Sequence, residues 1–335
     1  MTEPLPVTLD DVRAAARRIA PFTRRTPSLP WTCRGAGHEL DGRRVTFKLE
    51  HLQVGGSFKA RGAVNKLVAT PPGDLRRGVA TASGGNHGIG VAWAASSLGV
   101  PATVYLPETA PRSTERRLRA MGADTVRQGA AWDDAWALAV REATRRGLQL
   151  VHPFEDPLVI AGQGTVGLEL AQDAPDLDAV VVAIGGGGLI AGAALALKAL
   201  RPGLRVIGVE PEGATSMKRS LEEGRVVALP EVHTIAGTLA PRAIGPLTLA
   251  FARALVDEVV LVSDEEMRRA QRLLWDELRL LVEPAGAAAL AALTSASDRN
   301  TISRCAPLAA AQHVGVLLCG ANLDVEALLP SVSGD

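Results

Sequence analysis

Residues 179 to 197, AVVVAIGGGGLIAGAALAL, carry no charge over 19 positions and hold four consecutive glycines in their middle. That length fits a membrane-spanning helix, but glycine costs a helix interior about 1 kcal/mol per residue. The segment therefore reads as a buried strand AVVVAI, a glycine turn and an Ala-rich helix. A strand that is apolar on both faces needs cover on both, as in a parallel sheet between layers of helices. The same alternation runs along the chain. Strands are expected at VTFKL (45–49), ATVYL (102–106), RVIGVE (205–210) and HVGVLL (313–318). Helices are expected at 9–20, 57–69, 86–98, 131–146, 158–173, 188–200, 246–256, 264–281 and 284–294. After ATVYL, Ser113 or Thr114 can cap a helix that Gly122 closes. The fold class is α/β.

A chain of 335 residues has room for about two domains. Segment 75–152 holds three strand candidates with helices between them, enough for a sheet of its own. The expected division is a small domain at 75–152 and a large domain built from 1–74 and 153–335. A ligand crevice would lie where the strand carboxyl ends face each other. Only residues 294–312, rich in Ser, Ala and Thr, look loosely composed.

The 36 basic and 36 acidic side chains cancel, and no basic run is present. Neither nucleic acid nor membrane is an expected partner, because both are recognised through clustered Lys and Arg. Cys33, Cys305 and Cys319 are odd in number and widely spaced, so they offer neither a disulfide framework nor a metal pair. The opening MTEPLPVTLDDV is acidic where a secretory leader would be basic, which points to the cytoplasm. His38, His51, His152, His233 and His313 lack metal-ligand spacing and read as structural, and the tryptophans read as core.

Lysine is scarce, with Lys48, Lys59, Lys66, Lys198 and Lys218 set against 31 arginines. Lys59 lies in GGSFKARGA (55–63) at the start of a helix, where the macrodipole helps an amine reach its neutral, nucleophilic form. A solvated first-turn lysine is the plain alternative. In TASGGNHG (81–88), small residues leave N–H groups open at a helix mouth, which suits a carboxylate or phosphate. Ser83 or Asn86 could instead simply cap that helix, with His87 a surface or core residue. The run Gly185-Gly186-Gly187-Gly188 can wrap a phosphate. Equally, Gly186, Gly188 and Ala191 fit a dinucleotide fingerprint, with Glu210 placed as the ribose-binding acid of a nicotinamide oxidoreductase. Taken singly, these motifs leave both ligands open.

In order, SFKARGA, SGGNHG, VHPFEDPLVIAGQGT, GGGGLIAG, VEPAGAAALAAL and LCGAN resemble the pyridoxal-phosphate enzymes of the tryptophan-synthase-β fold. Within that fold they are similar to the serine/threonine dehydratase and serine racemase group. The likeness spans residues from about 20 to 325. It implies a fold-type II enzyme, two parallel-sheet α/β domains with pyridoxal 5'-phosphate in the crevice between them. It further implies that Lys59 carries the cofactor as a Schiff base, Phe58 packs by the ring, Asn86 bonds the ring hydroxyl and Gly185 to Gly188 hold the phosphate. Glu283 and Cys319 match positions near the ring and its nitrogen. Ser83, Gly84, Asn86 and His87 would bind a small amino-acid substrate, and a homodimer is implied as well.

Three positions depart from the family pattern. Gly84 stands where racemases carry a second serine, the acid/base on the face opposite the lysine. Ser216 stands where a metal-binding acid would accompany Glu210 and the Ala214 carbonyl, so no metal is expected. The segment Ile235-Ala236-Gly237-Thr238-Leu239 replaces the usual IADGL. A neutral thiol such as Cys319 does not hold a proton on the ring nitrogen, which favours β-elimination over a long-lived carbanion. The implied activity is dehydration and deamination of L-threonine or L-serine to a 2-oxo acid and ammonia. Its alternatives are elimination from another β-hydroxy amino acid such as 3-hydroxyaspartate, residual serine racemisation, or a nicotinamide enzyme. The chain stops about where the catalytic part of the family ends, so no regulatory domain is expected.

Overall fold

A computed structural model describes residues 4–32, 43–294 and 305–323. Cys33, His38 and residues 295–304 of the loosely composed region lie outside them. In chain order the elements are α1 (Leu9–Ile19), β1 (Ser28–Thr32), β2 (Arg44–Lys48), α2 (Lys59–Ala69), α3 (Pro72–Leu75), β3 (Val79–Ala82), α4 (Asn86–Leu98), β4 (Ala102–Leu106), α5 (Arg112–Ala120) and β5 (Asp124–Arg127). There follow α6 (Trp132–Arg146), β6 (Gln149–Leu150), α7 (Pro157–Asp173), β7 (Ala179–Ala183), α8 (Gly188–Leu200), β8 (Arg205–Pro211), α9 (Ser216–Glu223) and α10 (Pro246–Leu255). The last are β9 (Glu258–Val262), α11 (Asp264–Leu278), α12 (Pro284–Ala291), a short helix Ala306–Ala310 and β10 (His313–Leu317).

Two sheets result. The larger runs β1-β2-β10-β7-β8-β9 and the smaller β5-β4-β3-β6. The smaller is parallel throughout. The larger is parallel as expected except at its edge, where β1 pairs antiparallel with β2. β1 lies at the edge, is partly exposed and contains Pro30, a residue without an N–H that only an edge strand tolerates. The inner strands β7, β4 and β10 are buried at every position, as their unbroken apolar sequences require. Each fully buried Val or Leu contributes about 1.5–3 kcal/mol. No helix among the described residues is long and apolar enough to cross a membrane.

Some helix ends differ from those read in the sequence. α5 begins at Arg112 directly after Pro111 and has no side-chain cap, so neither Ser113 nor Thr114 serves as one; Gly122 follows its end with a positive φ. α11 stops at Leu278 because Arg279 turns left-handed at φ 55°, and α12 stops at Ala291.

Helix α2, which carries Lys59, is fixed on two sides. A Cβ on Gly162 of α7 would lie 2.6 Å from the Gly62 Cα, so the two helices meet backbone to backbone. Beside that contact, buried Arg61 donates to both oxygens of Glu50 (2.8 and 2.7 Å) and both of Glu169 (2.6 and 2.9 Å). Buried Lys48 adds a second ion pair to Glu169 at 2.7 Å. The start of α7 is set by Asp156, which accepts from the Leu158 and Val159 amides ahead of Pro157. That cap fixes where segment 152–156 leaves the small sheet and crosses to the large one.

Candidate active site

The start of α2 is stitched to the end of β10. The Phe58 amide donates to the Cys319 carbonyl at 3.1 Å, and Ser57 pairs with Gly320. Lys59 therefore sits beside Cys319, half-buried, with its Nζ 5.1 Å above the Phe58 ring and donating to the Pro153 carbonyl at 2.7 Å. The other four lysines all meet carboxylates: Lys48 with Glu169, Lys66 with Asp156, Lys198 with Asp257 and Lys218 with Glu222. Lys59 has no such partner among the described residues. Burial consequently penalises its charge and brings its pKa down to about 8.

The mouth of α4 lies at the carboxyl end of β3. Gly85 precedes the helix and no side chain caps it, so neither Ser83 nor Asn86 is a cap. The Ser83 hydroxyl accepts from the Gly85 amide at 3.2 Å. Gly84 packs against the following loop, since a Cβ there would stand 2.9 Å from the Ala110 Cβ. His87 follows Asn86 in the first turn of α4. It is buried, donates from Nε2 to the Val151 carbonyl at 3.1 Å, and leaves Nδ1 without a partner. Burial and the nearby Lys59 hold it neutral, well below the usual histidine range.

Asn86 turns across the cleft instead. Its Nδ2 donates to Glu283 Oε1 at 2.6 Å, and its Oδ1 accepts from Asn322 Nδ2 at 2.5 Å. Glu283 also accepts from the Thr238 hydroxyl at 3.0 Å and the Asn322 amide at 3.0 Å. Burial raises the Glu283 pKa while these donors oppose the rise. Cys319 donates from Sγ to the Ala285 carbonyl at 3.4 Å, and burial pushes its thiol pKa up, so it stays protonated.

Between β7 and α8, Gly185 to Gly188 form the turn, with Gly187 at φ 86°. A Cβ would lie 2.9 Å from the Thr238 carbonyl at Gly185, 2.0 Å from the Phe154 ring at Gly186, 2.8 Å from Met217 at Gly187 and 2.9 Å from the Phe154 Cβ at Gly188. Only glycines fit, and the uncapped mouth of α8 keeps backbone amides available for a phosphate. This cradle and the Lys59 amine suit a phosphorylated aldehyde. The dinucleotide reading meets an obstacle at Glu210, which is buried with one oxygen on the Met217 amide (2.7 Å) and the other on the Lys218 amide (2.9 Å). It closes the mouth of α9, and burial raises its pKa to about 7. Among the described residues no group of three or more His, Cys, Asp or Glu could hold a metal ion.

Three features of the site escaped the sequence. Thr238 and Asn322 were visible only as members of motifs, with nothing to show that both would bond Glu283. His152, Trp132 and Trp136 are joined to one another, with Trp136 also packed against the core of the small sheet as expected. They are half-buried and lie in ring contact along the segment that carries the Pro153 carbonyl to Lys59. The spacing of Trp132 and Trp136, one helical turn apart, was the available signal.

A family model described as pyridoxal-phosphate dependent enzyme matches residues 19–320. The chain is 44% identical to an L-threonine ammonia-lyase of Geobacter sulfurreducens, over 86% of this chain and 69% of that one. It is 40% identical to a phenylserine dehydratase of Ralstonia pickettii, over 97% of each. Maize serine racemase superposes with a TM-score of 0.90 at 36% identity, covering 96% of this chain and 95% of that one.

Proposed function

Because the chain belongs to the pyridoxal-phosphate-dependent enzyme family, we propose that it is an ammonia-lyase that dehydrates and deaminates L-threonine or L-serine. The observation that carries this reading is Lys59, a lysine amine without a carboxylate partner among the described residues, with a pKa of about 8, standing beside an uncapped helix mouth and a glycine cradle. The relatives named above act on β-hydroxy amino acids with β-substituents from methyl to phenyl, which supports that substrate class.

Lys59, Phe58, Asn86, Gly185, Gly186, Gly187, Gly188, Glu283 and Cys319 would hold the cofactor. When bound, pyridoxal phosphate supplies an electron sink for the substrate Cα. The amides at the mouth of α4 and the Ser83 hydroxyl bind and orient the substrate carboxylate. The Lys59 amine, neutral in part at pH 7, takes the Cα proton. Gly84 offers no acid or base on the opposite face, so proton traffic stays on one face and the β-hydroxyl leaves. In the net reaction the Cα–H and Cβ–O bonds break, water departs, and the released enamine hydrolyses to 2-oxobutanoate or pyruvate plus ammonia. Cys319, a neutral thiol, would stand near the ring nitrogen of the bound cofactor, and a thiol in place of a carboxylate there would favour elimination.

The reading extends to Schiff-base attachment at Lys59, a cytoplasmic homodimer, and a division into 1–74, 75–152 and 153–335. The test is direct. Purified enzyme should absorb in the visible, borohydride should fix the cofactor on the peptide carrying Lys59, and L-threonine should yield ammonia and 2-oxobutanoate. Lys59→Ala should lose both the band and the activity. A band retained in that variant, or attachment at another lysine, would overturn the assignment.

A further inference from the structure

A row of ring contacts runs close to Lys59. Trp132 and Trp136 on α6 stack with centroids 5.6 Å apart and planes 11° from parallel. His152 meets Trp136 edge-on at 4.6 Å and Trp132 at 6.4 Å, and Phe154 meets His152 at 4.7 Å. The row is anchored at both ends. Trp132 Nε1 donates to the carbonyl of Ala82, the residue before Ser83, and the Phe154 ring lies over Gly186. His152 is locked in the middle, its Nδ1 accepting from the Phe154 and Glu155 amides at 3.2 and 2.8 Å. The next residue, Pro153, receives Lys59. The rings thus run from the carboxylate side of the site, past the lysine, to the glycine cradle.

Trp132, Trp136 and His152 are only half-buried, and they stand next to the Pro153 carbonyl that receives Lys59. Across from the start of α6, Asp133 stands 4.0 Å from Arg242 of the loop that follows Thr238. A substrate with its carboxylate at Ser83 and Asn86 and its Cα at Lys59 would direct its β-substituent toward these elements. A methyl group there covers little of the row. A phenyl group can meet it in the edge-to-face or offset geometry that aromatic pairs prefer.

We propose that Trp132, Trp136 and His152 form the β-substituent pocket, and that the site accepts β-hydroxy amino acids bearing an aryl ring on the β-carbon. The inference rests on the lyase reading and fails separately from it. The probes are L-phenylalanine, L-2-aminobutyrate and L-aspartate, which lack a β-hydroxyl and are not dehydrated, titrated calorimetrically into the cofactor-loaded enzyme. L-Phenylalanine should bind about ten-fold more tightly than L-2-aminobutyrate, as expected for aromatic contact and added apolar burial. Trp136→Ala should abolish that preference and Trp136→Phe should keep it. In turnover, the kcat/KM ratio of phenylserine to threonine should fall about ten-fold in Trp136→Ala. Equal binding of the two ligands by the wild-type enzyme, or tightest binding of L-aspartate through Arg242, would overturn the pocket assignment whether or not the variants fold. Ammonia release from L-threonine together with either result would leave the lyase reading standing. A protein that takes up no cofactor would sink the lyase reading and the pocket with it.

Discussion

Cofactor loading should follow the titration of one amine. Only a neutral amine attacks an aldehyde, and burial brings the Lys59 pKa down to about 8. At pH 7 about one molecule in ten then carries a neutral Lys59, against about one in 3,000 for a lysine at its ordinary value. Between pH 7 and pH 9 the neutral fraction rises about ten-fold and then levels off, whereas an ordinary lysine would gain about 100-fold and continue upward. The assay is stopped-flow mixing of cofactor-free enzyme with pyridoxal phosphate, following the visible band from pH 6 to 10.5. A parallel series with butylamine divides out the cofactor's own ionisations. The normalised rate should bend near pH 8. A rate that still climbs ten-fold per unit between pH 9 and pH 10 would refute the argument that burial at this position activates the amine.

The same depressed pKa implies a stability cost in the cofactor-free protein that is full below about pH 8 and vanishes above the unfolded value. Lys59→Met should therefore stabilise that form at pH 7 by up to about 3 kcal/mol, the gap closing by pH 10.5, as read from denaturation of variant and wild type at matched pH. Arg61→Leu strands buried Glu50 without its partner and should lower stability by about 3–5 kcal/mol; an unchanged denaturant midpoint would contradict it. Gly84→Ser supplies the hydroxyl of a second proton shuttle but crowds Ala110, so the double variant Gly84→Ser/Ala110→Gly should raise D-serine relative to pyruvate, measured by chiral chromatography. Since both oxygens of Glu210 are engaged by backbone amides, NADH titration should show no saturable fluorescence change and EDTA should leave activity and thermal stability nearly unchanged. EDTA inactivation reversed by Mg²⁺ would show Glu210 misread.

Much of the site is local in sequence and could be read there. The charge-free strand, four glycines and Ala-rich helix describe their own backbone, because periodicity and glycine content act over a few residues. The observed boundaries of β7 and α8 follow that reading. Lys59 stood out by scarcity and by its position at a helix start, both properties of the chain alone. The antiparallel edge strand β1 was not legible, since SLPWT has neither clear alternation nor an unbroken apolar run and is held by its register on β2.

Other assignments depend on which segments meet. Asn86 and Ser83 looked equally able to cap α4, and the structure gives Asn86 to Glu283 because α12 approaches from 197 residues away. The sequence could not show that His87 would be buried with its Nε2 on the Val151 carbonyl and its Nδ1 unpartnered. Glu210 matched a ribose ligand by spacing, but its oxygens were already claimed by the next helix. The two tryptophans carried no motif and His152 was one letter of VHPFEDPLVIAGQGT with no role attached, yet the return of the chain from the small sheet to the large one sets them beside the lysine. The sequence determined most of the elements and singled out Lys59, because local propensity and residue chemistry act within a few positions. The tertiary structure decided which polar groups were paired and which rings met, because hydrogen-bond partners and ring contacts are settled only when distant segments pack.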